Sequence, residues 1–281
     1  MYAPTIEQET QVKPGRSIRA GSGVRSDARW DVPVLSARTG GPAERLARSF
    51  GALHPALVFI VTMLAGLAVI AAASIGLGLL VTHVLEHAWG IGAANERVDV
   101  WLAAHRTSSR THASLIGSIA AGGVVLPIVA GSVALICAVL RKWRIAVFAF
   151  FTLAVESAAY RATTLVIHLH RPRVVRLEHL PVNASYPSGH TAAAIAVYGG
   201  LALLLTSIFR NVAFRVFAWT IALAMVTFVA SSRLYRGMHH PLDVAGGVVV
   251  GVSALVVVVF ACRAAGAAAE SRRGARTGAP A

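Results

Sequence analysis

The chain has few charged residues for its length. Only 14% of its 281 residues are charged, whereas a soluble domain usually carries about 25%. Hydrophobic residues make up 56% of the chain, and the mean hydropathy is +0.66. This shortage of charge, together with several long uncharged runs, excludes an ordinary soluble domain and predicts an integral membrane protein.

Cysteine is scarce as well. The two cysteines, Cys137 and Cys262, both fall inside apolar runs. Two isolated thiols in such runs provide neither a disulfide framework nor the spacing of a metal site. We therefore interpret both as small core residues.

Acidic residues are outnumbered, with 12 Asp and Glu against 26 Lys and Arg, and the net charge is +14. Such an excess is typical of nucleic-acid binding, but here the basic residues lie in the tails and between apolar runs rather than on one soluble face. We therefore expect no nucleic-acid partner. The first fifty residues also lack an early apolar run, so no cleavable signal peptide is expected.

The apolar runs divide the chain into a membrane domain, residues 54–262, between two basic tails. We predict that residues 1–53 and 263–281 are disordered and cytoplasmic. Within the domain, residues 94–105 have amphipathic spacing and predict an interfacial helix, with Trp89 and Trp101 as anchors. The fold class is therefore an all-α bundle of six transmembrane helices. The predicted spans are residues 56–85, 113–140, 145–169, 191–209, 216–231 and 241–262.

The distribution of basic residues predicts the orientation of these spans. The tails and loops on the side of the termini hold 17 Lys and Arg, and the opposite side holds 9. Because the more basic side of a membrane protein faces the cytoplasm, both termini are expected there. The opposite, extracytoplasmic face then receives three polar stretches, which contain residues 170–173, 186–191 and 232–243.

The third and fourth predicted spans carry residues that should pack inward. Glu156 and Arg161 are costly in lipid, so we expect both to face the protein interior or a water-filled cavity. The fourth span has small residues that allow close packing beside the polar stretches. These are Ala192, Ala193, Ala194, Ala196, Gly199 and Gly200.

The polar stretches carry groups suited to phosphate. Arg171 and Arg233 each lie at a span end, and the planar guanidinium fork can bind two phosphoryl oxygens. Ser188 and Gly189 precede the fourth span, where the N–H groups of a helix start form an anion site. His190 lies at the same helix start and can act as an acid once an anion is bound.

The third stretch also contains a nucleophile with a spaced carboxylate. His239 and Asp243 are four residues apart, so on a helix start Asp243 can accept the ring N–H of His239. That bond fixes the tautomer and leaves the other ring nitrogen free to attack. Taken singly, each motif has a plainer interpretation as an interfacial histidine, a turn or a span end. Tyr235, Arg236 and His240 are placed only at the rim.

In combination the three stretches resemble a known signature. Arg171-Pro172, then Pro187-Ser188-Gly189-His190, then Ser232-Arg233 with His239 and Asp243 is similar to the three-part motif of the type 2 phosphatidic acid phosphatase superfamily. This superfamily also includes bacterial acid phosphatases, glucose-6-phosphatase and vanadium haloperoxidases. The resemblance covers residues from about 86 to 262.

The resemblance implies a role for each motif residue. His239 attacks phosphorus and forms a phosphohistidine, Asp243 orients it, and His190 protonates the leaving oxygen and then activates water. Arg171, Ser188, Gly189 and Arg233 bind the phosphoryl oxygens. No metal or other cofactor is implied. One position departs from the motif, because Thr164 stands where the superfamily has a lysine, and Arg161, Arg173 or Arg176 could compensate.

The predicted function is hydrolysis of a lipid phosphate in the bilayer, and the candidate substrates are a polyprenyl diphosphate, phosphatidic acid and phosphatidylglycerol phosphate. Thr164 keeps a second class open, a lipid-phosphate binding or transport protein without hydrolysis. A phosphotransferase that passes the phosphoryl group to another lipid is a third possibility. A soluble-type haloperoxidase is disfavoured, because the helices that carry the motifs have the composition of bilayer spans.

Overall fold

The computed structural model describes residues 32–51, 53–87 and 90–277, and within these ranges the chain is helical with no strand. Ten α-helices follow one another in this described part of the chain. They are α1 (Pro42–Ser49), α2 (Pro55–Leu80), α3 (Ile91–Ala104), α4 (Ser108–Ala120), α5 (Val125–Val139), α6 (Trp143–Val166), α7 (Gly189–Ala194), α8 (Gly200–Ile208), α9 (Val212–Tyr235) and α10 (Pro241–Thr277). Short π-helical turns, Val81–Leu85 and Ile195–Gly199, extend α2 and join α7 to α8.

Local sequence explains where several of these helices begin. Proline is the first residue of α2 and of α10, a position where its missing N–H costs nothing. The side chains of Thr107 and Asn211 cap α4 and α9 by accepting hydrogen bonds from the Arg110 and Phe214 amides, which satisfies donors that have no partner inside the helix.

Six helical segments among the described residues are long and apolar enough to cross a membrane, which confirms the predicted fold class. Their bounds are Pro55–Leu85, Ser108–Val139, Trp143–Val166, Gly189–Ile208, Val212–Tyr235 and Pro241–Arg276. The second segment is broken between α4 and α5, in the stretch that contains Gly122 and Gly123. The segment predicted to be an interfacial helix is helical, as α3, and its Trp101 side chain is exposed, whereas Trp89 lies outside the described residues.

The core of the bundle forms around α10, which packs against α2, α6 and α7. The fourth segment is the most buried of the six, as its small residues predicted. Close packing needs glycine at Gly251, where a Cβ would lie 2.6 Å from the carbonyl oxygen of Ala192. In the third segment the prediction holds for Glu156, which is buried, and is wrong for Arg161, which is exposed. Arg161 lies close enough to the helix end for its long side chain to reach the surface.

The described parts of both predicted tails are ordered, which corrects the expectation of disorder there. Leu35 is fully buried, and Arg263 donates to the Val34 carbonyl oxygen at 2.8 Å. Ala43 and Ala47 of α1 pack with buried alanines of α10, which continues well past residue 262. Small apolar residues with helical spacing lie among the arginines and bury one face of each segment. Residues 1–31 and 278–281 of the predicted tails lie outside the described residues.

This packing separates the two ends of the bundle. The N-terminal segment and the end of α10 lie together at one end, where Arg144 at the start of α6 approaches Glu270 at 3.4 Å. α6 and α9 run from that end to the other, and α7 and α10 start at the other end. The three polar stretches therefore share the end of the bundle opposite the described chain ends.

Candidate active site

The three polar stretches are bonded directly to one another. The Ser188 amide, just before α7, donates to the Asp243 carbonyl oxygen at 2.9 Å. Arg171 donates to the carbonyl oxygen of Met238, and the ring of His239 contacts Ser185. The loop after α6, the start of α7 and the loop between α9 and α10 thus form one connected unit, as the sequence predicted.

His239 is buried and its ring is held by a backbone carbonyl group. Its Nδ1 lies 2.7 Å from the Ser185 carbonyl oxygen, so Nδ1 carries the hydrogen that is donated and Nε2 keeps its lone pair. Burial lowers the pKa of His239; the Asp243 carboxylate opposes this, and the charges of Arg233 and Arg171 lower it further. The imidazole is therefore neutral at physiological pH, the form that a nucleophile requires.

Asp243 does not accept the His239 ring N–H directly, which corrects the expectation from the four-residue spacing. The nearest approach of its carboxylate to His239 Nδ1 is 3.8 Å. Its Oδ2 accepts instead from the Ser185 hydroxyl at 2.5 Å and from the His240 amide at 2.8 Å. His239 precedes Pro241, the first residue of α10, so its side chain lies outside the helix register that the spacing assumed. Asp243 fixes the groups on either side of the ring.

Most of the N–H groups of Arg171 are hydrogen-bonded within the protein itself. Its Nε and Nη2 donate to the carbonyl oxygens of Pro181 and Ala184, each at 2.8 Å, and Nη1 donates to Met238. These bonds use three of its five N–H groups. The side chain therefore ties the loop after α6 to the loop before α10, and two N–H groups remain for a ligand.

Arg233 has the opposite arrangement. It is fully buried, and its Nη1 donates to Glu178 Oε2 at 2.8 Å and to the Ser118 hydroxyl. Within the described part of the chain, its Nε and Nη2 have no hydrogen-bond partner. A buried cation with unpaired donors is costly, and an oxyanion is the ligand that a guanidinium edge fits best.

Glu178 is a member of the site that sequence reasoning missed. It accepts from Arg233, from Arg236 Nε at 2.5 Å and from the Ser118 hydroxyl at 2.7 Å. Burial alone would raise its pKa, but the two arginines and Ser118 outweigh burial and bring the pKa to about 2. Glu178 is therefore a permanent anion. No local pattern marked it, since it is an isolated acid in a loop.

The helix at the second stretch, α7, begins at Gly189, two residues before the predicted span, which began at residue 191. Ser188 is fully buried, and its hydroxyl lies 3.0 Å from the Thr191 hydroxyl. His190 is half-buried and lies within reach of the charges of Arg233, His239 and Arg171. The structure thus brings all the predicted site residues except Thr164 into one neighbourhood.

The Thr164 hydroxyl is not hydrogen-bonded to any of these site residues. The Thr164 hydroxyl donates to the Arg161 carbonyl oxygen of its own helix at 3.0 Å. Of the three arginines proposed to compensate for the missing lysine, Arg161 and Arg173 are exposed and Arg176 is half-buried. Arg176 donates to the Leu180 carbonyl oxygen at 3.1 Å, and its charge acts on Arg171.

The residues assigned only to the rim are more deeply involved than the sequence indicated. Arg236 is buried and bonded to Glu178, Ser114 and the Leu177 carbonyl oxygen. His240 is buried, and its Nδ1 lies 2.7 Å from Asp99 Oδ2 on α3. The Tyr235 hydroxyl accepts from the Thr107 amide at 3.0 Å. The sequence feature that could have predicted these contacts is the repeated polar residues on α3 and α4, which face the motif loops.

Comparison with known proteins agrees with the geometry. A family model described as the PAP2 superfamily matches residues 145–265. An undecaprenyl-diphosphatase of Sulfolobus acidocaldarius is 40% identical over 75 residues, which are 27% of this chain and 32% of that protein. Undecaprenyl-diphosphatase BcrC of Bacillus subtilis is 33% identical over 93 residues, 32% of this chain and 43% of that protein. Human sphingosine-1-phosphate phosphatase 2 is 39% identical over 89 residues, 31% of this chain and 21% of that protein.

The matched region thus spans less than half of each of these relatives. Among solved structures, a transmembrane PAP2-type phosphatidylglycerolphosphate phosphatase from Bacillus subtilis has the same helical fold. The TM-score is 0.56 at 20% identity, over 70% of this chain and 92% of that one. The part of the chain that matches the PAP2 superfamily model, residues 145–265, is thus the segment that carries all three polar stretches.

Proposed function

We propose that the protein is a membrane lipid phosphatase that hydrolyses a phosphomonoester or diphosphate of a lipid through a phosphohistidine, without a metal ion. The observation that carries this proposal is the unpaired edge of Arg233, with its buried Nε and Nη2, in the same bonded unit as His239. An anion receptor beside a neutral imidazole with a fixed tautomer is what phosphoryl transfer to histidine requires.

The residues divide the reaction between them. His239 Nε2 attacks the terminal phosphorus, and as the N–P bond forms, the bond from that phosphorus to the leaving oxygen breaks; this is the lipid oxygen of a phosphomonoester or the bridging oxygen of a diphosphate. His190 gives its proton to the leaving oxygen, then takes one from a water molecule that attacks phosphorus and breaks the N–P bond. Arg233, the remaining N–H groups of Arg171, the Ser188 hydroxyl and the Gly189 amide stabilise the phosphoryl oxygens. Asp243 holds His239 indirectly, through Ser185 and the His240 amide.

A lipid substrate is supported by the surface beside the site. The loop after α6 exposes large apolar side chains, with Val175 at 77% and Val182 at 54% exposure, although the same loop holds Glu178 against the arginines. Such residues match a bilayer boundary, where the tail of a substrate stays in lipid while its headgroup reaches the site. Two of the relatives are named undecaprenyl-diphosphatases, which favours a polyprenyl diphosphate among the candidate substrates.

The orientation in the membrane belongs to the same proposal. The described chain ends lie at one end of the bundle and the motif loops at the other, and the basic residues concentrate at the former. Both termini are then cytoplasmic, and the site faces the extracytoplasmic side. A C-terminal tag should resist protease on intact cells and be cut after permeabilisation. Cleavage on intact cells would reverse the orientation.

Phosphate release from a panel of lipid phosphates and diphosphates, in the presence of a chelator, tests the activity. We expect release by the wild type and none by His239→Ala. A matched control is His168→Ala, because His168 is exposed beside the same loop. Full activity in His239→Ala would remove the assigned nucleophile. Binding of the whole panel without turnover would favour the non-hydrolytic alternative, and transfer of phosphate to an added lipid alcohol would indicate a phosphotransferase.

A further inference from the structure

Helix α3 lies outside the three motif stretches, yet one of its faces is bonded to the loops that carry them. The side-chain oxygen of Asn95, Oδ1, accepts a hydrogen bond from the Leu242 amide at 3.2 Å. Glu96 Oε1 accepts from the Arg173 amide at 3.0 Å, and Asp99 Oδ2 lies 2.7 Å from His240 Nδ1. Three residues within two turns thus hold the start of α10, the Arg171 loop and the residue beside the nucleophile.

Asp99 is the most deeply placed of the three. Its side chain is fully buried, and that of His240 is only 9% exposed. A buried carboxylate is tolerated only with a donor, and the His240 ring supplies it. Burial would lower the pKa of His240, but Asp99, Asp243 and Glu96 outweigh burial and raise it. These carboxylates therefore favour the protonated form of the His240 ring.

The position of His240 affects the position of the neighbouring nucleophile, His239, because both lie in one short loop. The loop between α9 and α10 is only five residues long, Arg236 to His240. Its middle residue is held by Arg171, which donates to the Met238 carbonyl oxygen, and its last amide, that of His240, donates to Asp243. His239 itself has one ring bond, to Ser185. Fixing the His240 side chain from α3 removes the remaining freedom of this loop to rotate.

We propose that Asp99 is a positioning residue for the reaction, which acts through His240 to hold the His239 ring at the substrate phosphorus. This proposal rests on the phosphatase function proposed above. A displacement of a reacting group by about 1 Å can reduce the rate about 100-fold. The loss should appear in kcat, because Asp99 does not touch the phosphoryl oxygens and substrate binding depends on Arg233.

The experiment compares Asp99→Ala with Asp99→Asn in the full-length protein. The asparagine oxygen can still accept from His240, whereas alanine cannot. We expect Asp99→Ala to lower kcat by about 10- to 100-fold with KM unchanged, and Asp99→Asn to retain most of the activity. Arg97→Gln, on the exposed side of the same helix, is the control for a charge change and should match the wild type.

A double-mutant cycle separates positioning from a general structural effect. If Asp99 acts through His240, the variant with Asp99→Ala and His240→Gln loses no more kcat than the more damaged single variant. Independent, additive losses would overturn the proposal, as would an unchanged kcat in Asp99→Ala. A fall in kcat matched by the fraction unfolded in a thermal scan would also overturn it.

A last arm addresses the alternative use of this cluster. The ligating atoms of Glu96, Asp99 and His240 lie within 4.8 Å of one another, and such groups also bind divalent cations. We expect chelator to leave the wild-type kcat unchanged. Chelator sensitivity that disappears in Asp99→Ala would replace the positioning role by a cation site. Failure of the wild type on every lipid phosphate would instead contradict the proposed function and is distinguishable from all these outcomes.

Discussion

The two arginines of the motif lie in regions that treat a cation in opposite ways. In the loop after α6, the N–H groups of Arg171 meet the backbone carbonyl oxygens of Pro181, Ala184 and Met238. At the end of α9, Arg233 uses one nitrogen on Glu178 and Ser118 and leaves two without a partner among the described residues. The first region is satisfied by the protein itself. The second has its charge paired with Glu178 but keeps two N–H donor atoms that an anion can bind.

This difference indicates that Arg171 and Arg233 have different roles, although both belong to the same three-part motif. A donor paired with buried carbonyl groups contributes to stability, whereas a preorganised, unpaired donor contributes to binding and to the transition state. Arg171 should therefore matter more for the fold of the loops, and Arg233 more for turnover. The following variants test this contrast.

The largest expected effect is on turnover in Arg233→Gln. This change removes the unpaired guanidinium edge, and loss of a preorganised donor to a developing oxyanion typically costs about 100- to 1000-fold. We expect a loss of that size in kcat/KM for lipid phosphate hydrolysis, measured by phosphate release. Arg233→Lys keeps the charge without the fork and should recover only a small part of the activity.

Two controls make this result interpretable. Arg210→Gln removes an exposed arginine at the other end of the bundle and should have wild-type kinetics. Thermal unfolding in detergent shows whether the Arg233 variants remain folded. If Arg233→Gln is folded and fully active, the unpaired edge has no role in binding phosphate.

The second effect is on stability, in Arg171→Gln. Three carbonyl oxygens, of which that of Met238 is in a buried hydrogen bond, lose a charged donor, and we expect the free energy of unfolding to fall by roughly 3 to 5 kcal/mol. Denaturant or thermal unfolding in detergent measures this change. Arg173→Gln, whose side chain is exposed two residues away, is the matched control. The proposed contrast between Arg171 and Arg233 would be contradicted if Arg171→Gln left the free energy of unfolding unchanged and instead raised KM sharply.

The third effect depends on pH and concerns Glu178. Its pKa of about 2 is below the ordinary value of 4.5, so its ionic contacts contribute fully above about pH 4.5 and are lost as the pH falls towards 2. The difference between these pKa values corresponds to roughly 3 kcal/mol at neutral pH. Glu178→Gln should therefore be less stable than the wild type at pH 7.

Unfolding measured at pH 7 and at pH 3 checks the sign of this effect. The stability gap between the wild type and Glu178→Gln should narrow at the lower pH. Ser118→Ala, which removes one neutral hydrogen bond to the same carboxylate, should show a smaller gap with weaker pH dependence. A gap that widens on acidification would contradict the assignment of Glu178 as the anion held by Arg233 and Arg236.

Much of the architecture was predictable because it depends on hydropathy and on proline or glycine positions. The six spans follow from local pattern, and the fourth begins within two residues of the predicted position. The gathering of the three stretches at one end follows from the number of spans between them. Bilayer thickness fixes the depth of a span end, so an even number of crossings returns the chain to the same face.

The hydrogen-bond partners were not predictable in the same way. The bond from His239 to the Ser185 carbonyl group, rather than to Asp243, depends on how the residues before Pro241 leave the helix. Glu178 is identifiable only once the loop after α6 folds back over α4 and α9. In the tails, the high arginine content favoured a prediction of disorder, and the helical spacing of the alanines was given too little weight. Burying one face of a short helix is enough to order it.

The smallest effect is expected at Thr164, outside both arginine regions. Its hydroxyl is bonded to its own helix, so Thr164→Lys removes no contact to the site and adds a cation near its edge. A half-exposed charge contributes about 1 kcal/mol or less, which corresponds to a KM lowered by up to about 5-fold with kcat unchanged. Thr164→Met, similar in length and uncharged, is the control. A larger gain, in kcat as well as KM, would mean that Arg233 and Arg171 alone leave the phosphate under-stabilised.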